Sequence, residues 1–115
     1  MTNTISTHVL DTSLGLPASS VRVVLERIDN DGQPSSIAVG ETDSDGRLRD
    51  LLDPGGLLGE GHYRLTFETG RYFEGSQRET FFPTVSVDFR IGSGEQHYHV
   101  PLLISPFGYS TYRGS

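Results

Sequence analysis

The chain has 115 residues, a formal net charge of −6 and no cysteine. Its length suits one core of ordinary domain size, the missing thiols exclude disulfides and thiolate metal sites, and nine arginines without a lysine, spread singly from Arg22 to Arg113, argue against a nucleic-acid surface. The N-terminus lacks a basic start and an apolar run of signal-peptide length, and no segment is apolar enough to span a bilayer. The expectation is a single cytoplasmic domain over residues 1–115, with no membrane or nucleic-acid partner.

Short alternating segments separated by Gly, Pro and Asp clusters predict an all-β sandwich. Ile5 to Asp11 reads as the first strand, ended by Gly15-Leu16-Pro17-Ala18. Ser20 to Asp29 follows, with Val21, Val23, Leu25 and Arg27 alternating against Arg22, Val24, Glu26 and Ile28, and Asn30-Asp31-Gly32 is a strong turn signal. A third strand is expected over Ile37 to Thr42, then a polar loop, Thr42 to Arg47, that leaves Arg47 and Arg49 near one end of the sandwich.

His62 to Thr69 alternates cleanly, with Tyr63, Leu65 and Phe67 inward. Gly70 to Gln77 breaks that period around Tyr72 and Phe73 and predicts one short helix or a wide turn. Thr84 to Ile91 restores it, with Val85, Val87, Phe89 and Ile91 inward. Two further strands close the chain, one carrying His97 to Ile104 and one running from Tyr109 to Ser115 after the turn Ser105-Pro106-Phe107-Gly108, for a total of about seven or eight. Pro101 forfeits a ladder hydrogen bond, so its strand is expected at an edge or bulged, and a second subunit is expected to cover its apolar residues.

The last nineteen residues hold two histidines, three tyrosines and an arginine. Strand periodicity puts His97 and His99 on one face, with Tyr98, Val100 and Leu102 on the other. His8 shares a face with Ser6 and Leu10. A lone surface histidine is ordinarily a solvated position and terminal residues ordinarily fray, but polar groups this dense call for a use. No nucleophile elbow, Walker loop or dinucleotide fingerprint is present, so an attacking group would be water. An imidazole titrating near neutrality can take a proton from that water. A guanidinium can hold a developing oxyanion or clamp a planar acidic substrate, and spacing does not choose between Arg47 and Arg49. His97, His99 and His8 have the makings of a three-histidine zinc site, yet the spacing is weakly specific and no metal or other cofactor is assigned.

On three stretches, ISTHVLDTSLGLPA (5–18), TDSDGR (42–47) and HYHVPLLISPFGYSTYRGS (97–115), the chain resembles the transthyretin-like family of 5-hydroxyisourate hydrolases. The resemblance spans nearly the whole chain, and its Tyr-Arg-Gly-Ser ending is a mark of the hydrolases that the hormone carriers of the same fold lack. The stretch from Gly55 to Gly61 is richer in glycine than the family pattern. The resemblance implies a transthyretin-like two-sheet sandwich of eight strands, paired into dimers and then into a homotetramer with active sites in a channel between dimers. It implies hydrolysis of 5-hydroxyisourate to 2-oxo-4-hydroxy-4-carboxy-5-ureidoimidazoline in urate degradation. It places His8, Arg47 and His99 at catalytic positions, His8, Arg47, Tyr112, Arg113, Gly114 and Ser115 at substrate-binding ones, and His97 beside them in a supporting position. The alternative is a transthyretin-type protein that binds a small ligand without catalysis.

Overall fold

In the first strand, β1 (Thr4–Asp11), Ile5, Thr7, Val9 and Asp11 are shut away from solvent, while Thr4, Ser6, His8 and Leu10 take the other face. The computed structural model describes residues 4–49, 51, 58–94 and 96–115. Among them β1 is followed by β2 (Leu16–Pro17), β3 (Arg22–Ile28), β4 (Pro34–Glu41), β5 (Arg47–Leu48) and β6 (Gly61–Phe67). Then come the helix α1 (Thr69–Gly75), β7 (Val85–Ile91), β8 (His97–Ser105) and β9 (Gly108–Thr111).

Two sheets form a sandwich, the fold class expected from the sequence. One has the order β2-β1-β8-β9, with β5 also paired to β1, and the other is β4-β3-β6-β7. Between them Val9, Val23, Leu25, Leu65, Phe67 and Leu102 are fully buried, and each such side chain contributes about 1.5–3 kcal/mol. β1 and β8 run parallel, with Thr4 opposite His97, Ser6 opposite His99 and His8 opposite Pro101. That register lays the polar residues of both strands side by side on the outer face.

The short helix falls where the alternation breaks. Phe73 is buried beneath it, and the Gly70 amide donates to the Pro83 carbonyl at 2.8 Å, an approach that a Cβ 2.7 Å from that oxygen would block. Asp11, fully buried at the end of β1, ties the helix down. It accepts from Tyr72 Oη at 2.8 Å, from an Arg78 guanidinium nitrogen at 2.7 Å and from Ser13 Oγ at 2.6 Å. Burial alone would raise its pKa, but these hydrogen bonds and the Arg78 charge outweigh burial and hold it at about 2.

Several expectations are corrected. β8 is not an edge strand, because β1 and β9 flank it. The Pro101 carbonyl accepts from Thr111 Oγ1 at 2.7 Å, and the ladder to the tail is interrupted beside it, between the Leu102–Thr111 pair and an isolated His99–Gly114 bridge. The proline thus sits at a break within the sheet and not at its margin. The last strand ends at Thr111, short of Ser115. Leu16–Pro17 pairs with β1 instead of ending it, and the third long strand starts at Pro34, before Ile37.

Strict alternation also fails in β3. A register shift between Leu25 and Glu26 leaves Ile37 of β4 without a partner, the mark of a bulge. Arg27 faces Tyr63 but escapes burial by donating to its hydroxyl at 2.6 Å and to the Glu60 carbonyl at 3.0 Å, while Ile28 is buried. Part of the glycine-rich stretch, residues 55–57, lies outside the described residues.

Candidate active site

Arg47 owes its place to the turn before it. Asp43 Oδ1 accepts from the amides of Asp45 and Arg47, each at 2.9 Å, and Gly46 takes φ +74°, a conformation that favours glycine. A Cβ on Gly46 would also lie 2.4 Å from the Val9 carbonyl, so the turn can lie flat against β1. The Arg47 amide bond, with smaller help from Asp45 and two arginine charges, holds the Asp43 carboxyl below the usual range. The chain leaves the turn as β5, with Arg47 directly opposite His8. His8 Nε2 lies 2.9 Å from the Asp45 carbonyl. A carbonyl only accepts, so Nε2 carries the hydrogen and Nδ1 keeps the lone pair in the neutral ring.

Further along the same face, hydrogen bonds link four side chains of β1 and β8. Thr4 Oγ1 lies 2.6 Å from His97 Nδ1, His97 Nε2 lies 2.8 Å from Ser6 Oγ, and Ser6 Oγ lies 2.8 Å from His99 Nδ1. His97 is exposed, His99 is half-buried and Ser6 is buried between them. His99 Nε2 has no hydrogen-bond partner among the described residues. Burial lowers the His99 pKa below its ordinary value, and the neighbouring His97, His8 and Arg47 lower it further. The shift favours the neutral ring, which has a lone pair to offer.

A cleft of about 460 Å³ opens on this face, lined by Ser6, Arg47, Arg49, His97, His99 and Ser115 together with Thr7. Arg49 is largely exposed and stands 3.9 Å from Asp43. Of the two arginines that spacing left open, Arg47 is thus the one with no acidic partner among the described residues. His8 does not line the cleft but adjoins it through Arg47.

The tail divides. The Gly114 amide donates to the His99 carbonyl at 2.8 Å and Ser115 reaches the cleft wall. Arg113 turns to the other side of β8, where its guanidinium lies 5.0 Å from the Tyr98 ring centroid and donates to Gln96 Oε1 at 2.7 Å. Tyr112 is exposed and lines a second hollow with Arg113, Tyr98 and His99. The structure therefore brings Arg47, His97, His99, Gly114 and Ser115 together with His8 beside them, and places Tyr112 and Arg113 in the second hollow, which shares only His99 with the cleft. Ser6 and Thr4 went unnoticed as partners of the histidines. Alternation puts Ser6 on the His8 face, but only the parallel register places it between two imidazoles.

A metal is poorly served here. Both His97 nitrogens and His99 Nδ1 are committed to hydroxyls, and among the described residues no group of three or more His, Cys, Asp or Glu side chains is placed to hold an ion.

The family model described as HIUase/Transthyretin matches residues 5–114. The chain belongs to the HIUase/Transthyretin family. Within this family it is 48% identical over 113 residues to the 5-hydroxyisourate hydrolase of Salmonella typhimurium, covering 98% of this chain and 82% of that one. It is 41% identical to the probable 5-hydroxyisourate hydrolase of Schizosaccharomyces pombe, covering 96% and 90%. Among solved structures it is similar to Klebsiella pneumoniae 5-hydroxyisourate hydrolase, with a TM-score of 0.86, 42% identity and full coverage of both chains. It is also similar to Sparus aurata transthyretin, with a TM-score of 0.88, 32% identity and coverage of 96% and 95%. Backbone shape does not separate enzyme from carrier in this HIUase/Transthyretin chain; sequence identity leans to the hydrolases.

Proposed function

We propose that this chain hydrolyses 5-hydroxyisourate to 2-oxo-4-hydroxy-4-carboxy-5-ureidoimidazoline, a step of urate degradation. The observation that carries this is a half-buried His99 with a lowered pKa, sharing one cleft with an Arg47 guanidinium that makes no ion pair among the described residues. His99 takes a proton from water as the oxygen attacks a ring carbonyl, an effect typically worth about 10²- to 10⁴-fold. Arg47 holds the planar, acidic ring and the negative charge that grows on the carbonyl oxygen. His8, anchored on the Asp45 carbonyl and opposite Arg47, sets the edge of the pocket. Arg113, stacked on Tyr98, anchors the tail so that Gly114 lies on the His99 backbone and Ser115 on the cleft wall, with Tyr112 projecting outward.

The protein acts in the cytoplasm as a homotetramer, a dimer of dimers. In support of the assembly, the sheet that carries the histidines leaves Leu16, Tyr109 and the following Tyr112 exposed, an apolar surface for a second copy. Sedimentation at micromolar concentration should give four copies, and a stable monomer would reject this assembly.

A transthyretin-type ligand carrier is the competing reading, but a carrier of apolar ligands needs an apolar pocket, and this cleft is lined by imidazoles and guanidinium groups. Fresh 5-hydroxyisourate decays on its own, with loss of its ultraviolet signal. Catalytic amounts of the protein should speed that loss many-fold; decay at the background rate would leave only the carrier.

A further inference from the structure

We propose that Ser6 is a positioning residue that fixes the His99 tautomer and passes the proton captured at His99 to His97. The inference rests on the hydrolytic reading above and deepens it by naming where the catalytic proton goes.

A serine hydroxyl has one hydrogen. Ser6 Oγ stands 2.8 Å from His97 Nε2 and 2.8 Å from His99 Nδ1, so between neutral rings it donates to one and accepts from the other. The two tautomers are therefore coupled. In one arrangement His99 Nδ1–H donates to Ser6, Ser6 donates to His97 Nε2, and His97 Nδ1–H donates to Thr4 Oγ1. Every donor of the two rings and of Ser6 is used, and His99 Nε2 presents a lone pair. The reverse arrangement presents an N–H there instead. Arg47 and Arg49 line the same cleft, and their positive charges favour a lone pair over an N–H dipole on the ring edge. The first arrangement is the ground state.

A water O–H bond breaks, its oxygen bonds the substrate carbonyl carbon, and its proton goes to His99 Nε2. The Nδ1 proton moves to Ser6 Oγ while the Ser6 proton moves to His97 Nε2. The positive charge ends on an exposed imidazole and leaves the half-buried one, where desolvation and the nearby His8 and Arg47 oppose it. When the C–N bond breaks, the same path run backwards returns a proton to the departing ring nitrogen. Ser6 itself, 8% exposed, stays behind the two rings throughout.

The tautomers are read directly from imidazole nitrogen chemical shifts of the wild-type protein at pH 7.5. We expect His99 protonated at Nδ1, and a mixed population in Ser6→Ala. In steady-state assays Ser6→Ala should lower kcat about tenfold or more with KM nearly unchanged, Ser6→Thr should recover most of the loss, and Ser6→Ala combined with His97→Phe should be no slower than the slower single variant. His99 found protonated at Nε2 in the wild type would overturn the proposal, as would losses that multiply in the double variant. The spectra need neither turnover nor a variant that folds. The expected tautomers in a chain that does not hydrolyse 5-hydroxyisourate would sink the hydrolytic reading, and with it the shuttle, while leaving the hydrogen-bond chain in place.

Discussion

Gly114 lies against His99: its amide donates to the His99 carbonyl at 2.8 Å, and a Cβ built on it would fall 2.5 Å from His99 Cδ2. The tail thereby sets one side of the imidazole while Ser6 sets the other. Gly114→Ala must push the ring off its Ser6 hydrogen bond or lift the tail from β8. Displacing a reacting group by about 1 Å can cost 10²-fold, so kcat should fall by that order. The thermal midpoint should barely move, because the residue is peripheral to the core. Activity is checked by single-wavelength assay and folding by circular dichroism.

The rate should depend on pH in the direction set by His99. Its pKa lies below 6.5 because burial, and then His97, His8 and Arg47, disfavour the imidazolium. The free base therefore persists to lower pH than in an ordinary imidazole, and the midpoint of the decline in kcat/KM should lie below 6.5. Arg47→Ala removes one of the opposing charges and should move the midpoint of this acid limb upward, apart from its effect on the maximal rate. A pH series on both proteins measures it.

Stability should respond to acid through Asp11. Its folded pKa is about 2 against an ordinary 3.8, so the unfolded chain binds the proton more readily. The contribution, about 2 kcal/mol, is complete above pH 3.8 and is lost as pH falls from there through about 2. Asp11→Asn should cost at least this order at pH 7, because Arg78 then loses its charged partner. It should also flatten the acid limb of a urea-denaturation series between pH 4 and 2.

A strong chelator should leave turnover unchanged. The hydroxyls of Thr4 and Ser6 occupy both nitrogens of His97 and one of His99, leaving too few lone pairs for the three-histidine centre that the spacing alone allowed. Activity lost to chelation and restored by zinc would contradict this.

The sandwich was legible because most strands obey a period of two and glycine, proline and aspartate punctuate them. Where the period misled, the cause is local: the bulge at Ile37 shifts the phase around Arg27 and Ile28, and a guanidinium can leave the core face by reaching along it. Pro101 suggested an edge because a missing donor is tolerated there, yet a break in the tail pairing tolerates it equally well inside a sheet. His8, His97 and His99 were legible as outward residues of their strands. That Ser6 stands between two of them was not, since a parallel register between strands some ninety residues apart leaves no local mark in the sequence. The split of the tail at Gly114 was likewise hidden, because Arg113 finds its partners, Tyr98 and Gln96, on the opposite side of β8.

The central claim is that His99 and Arg47 convert one cleft into a hydrolytic site with His8 at its edge. The decisive measurement is the decay of freshly made 5-hydroxyisourate with the wild type, His8→Ala, Arg47→Ala and His99→Ala at matched concentration, each shown to be folded. The account predicts rapid decay with the wild type and losses of about 10²-fold or more for His99→Ala and Arg47→Ala, with a smaller loss for His8→Ala. Near-normal turnover in His99→Ala and Arg47→Ala would contradict it.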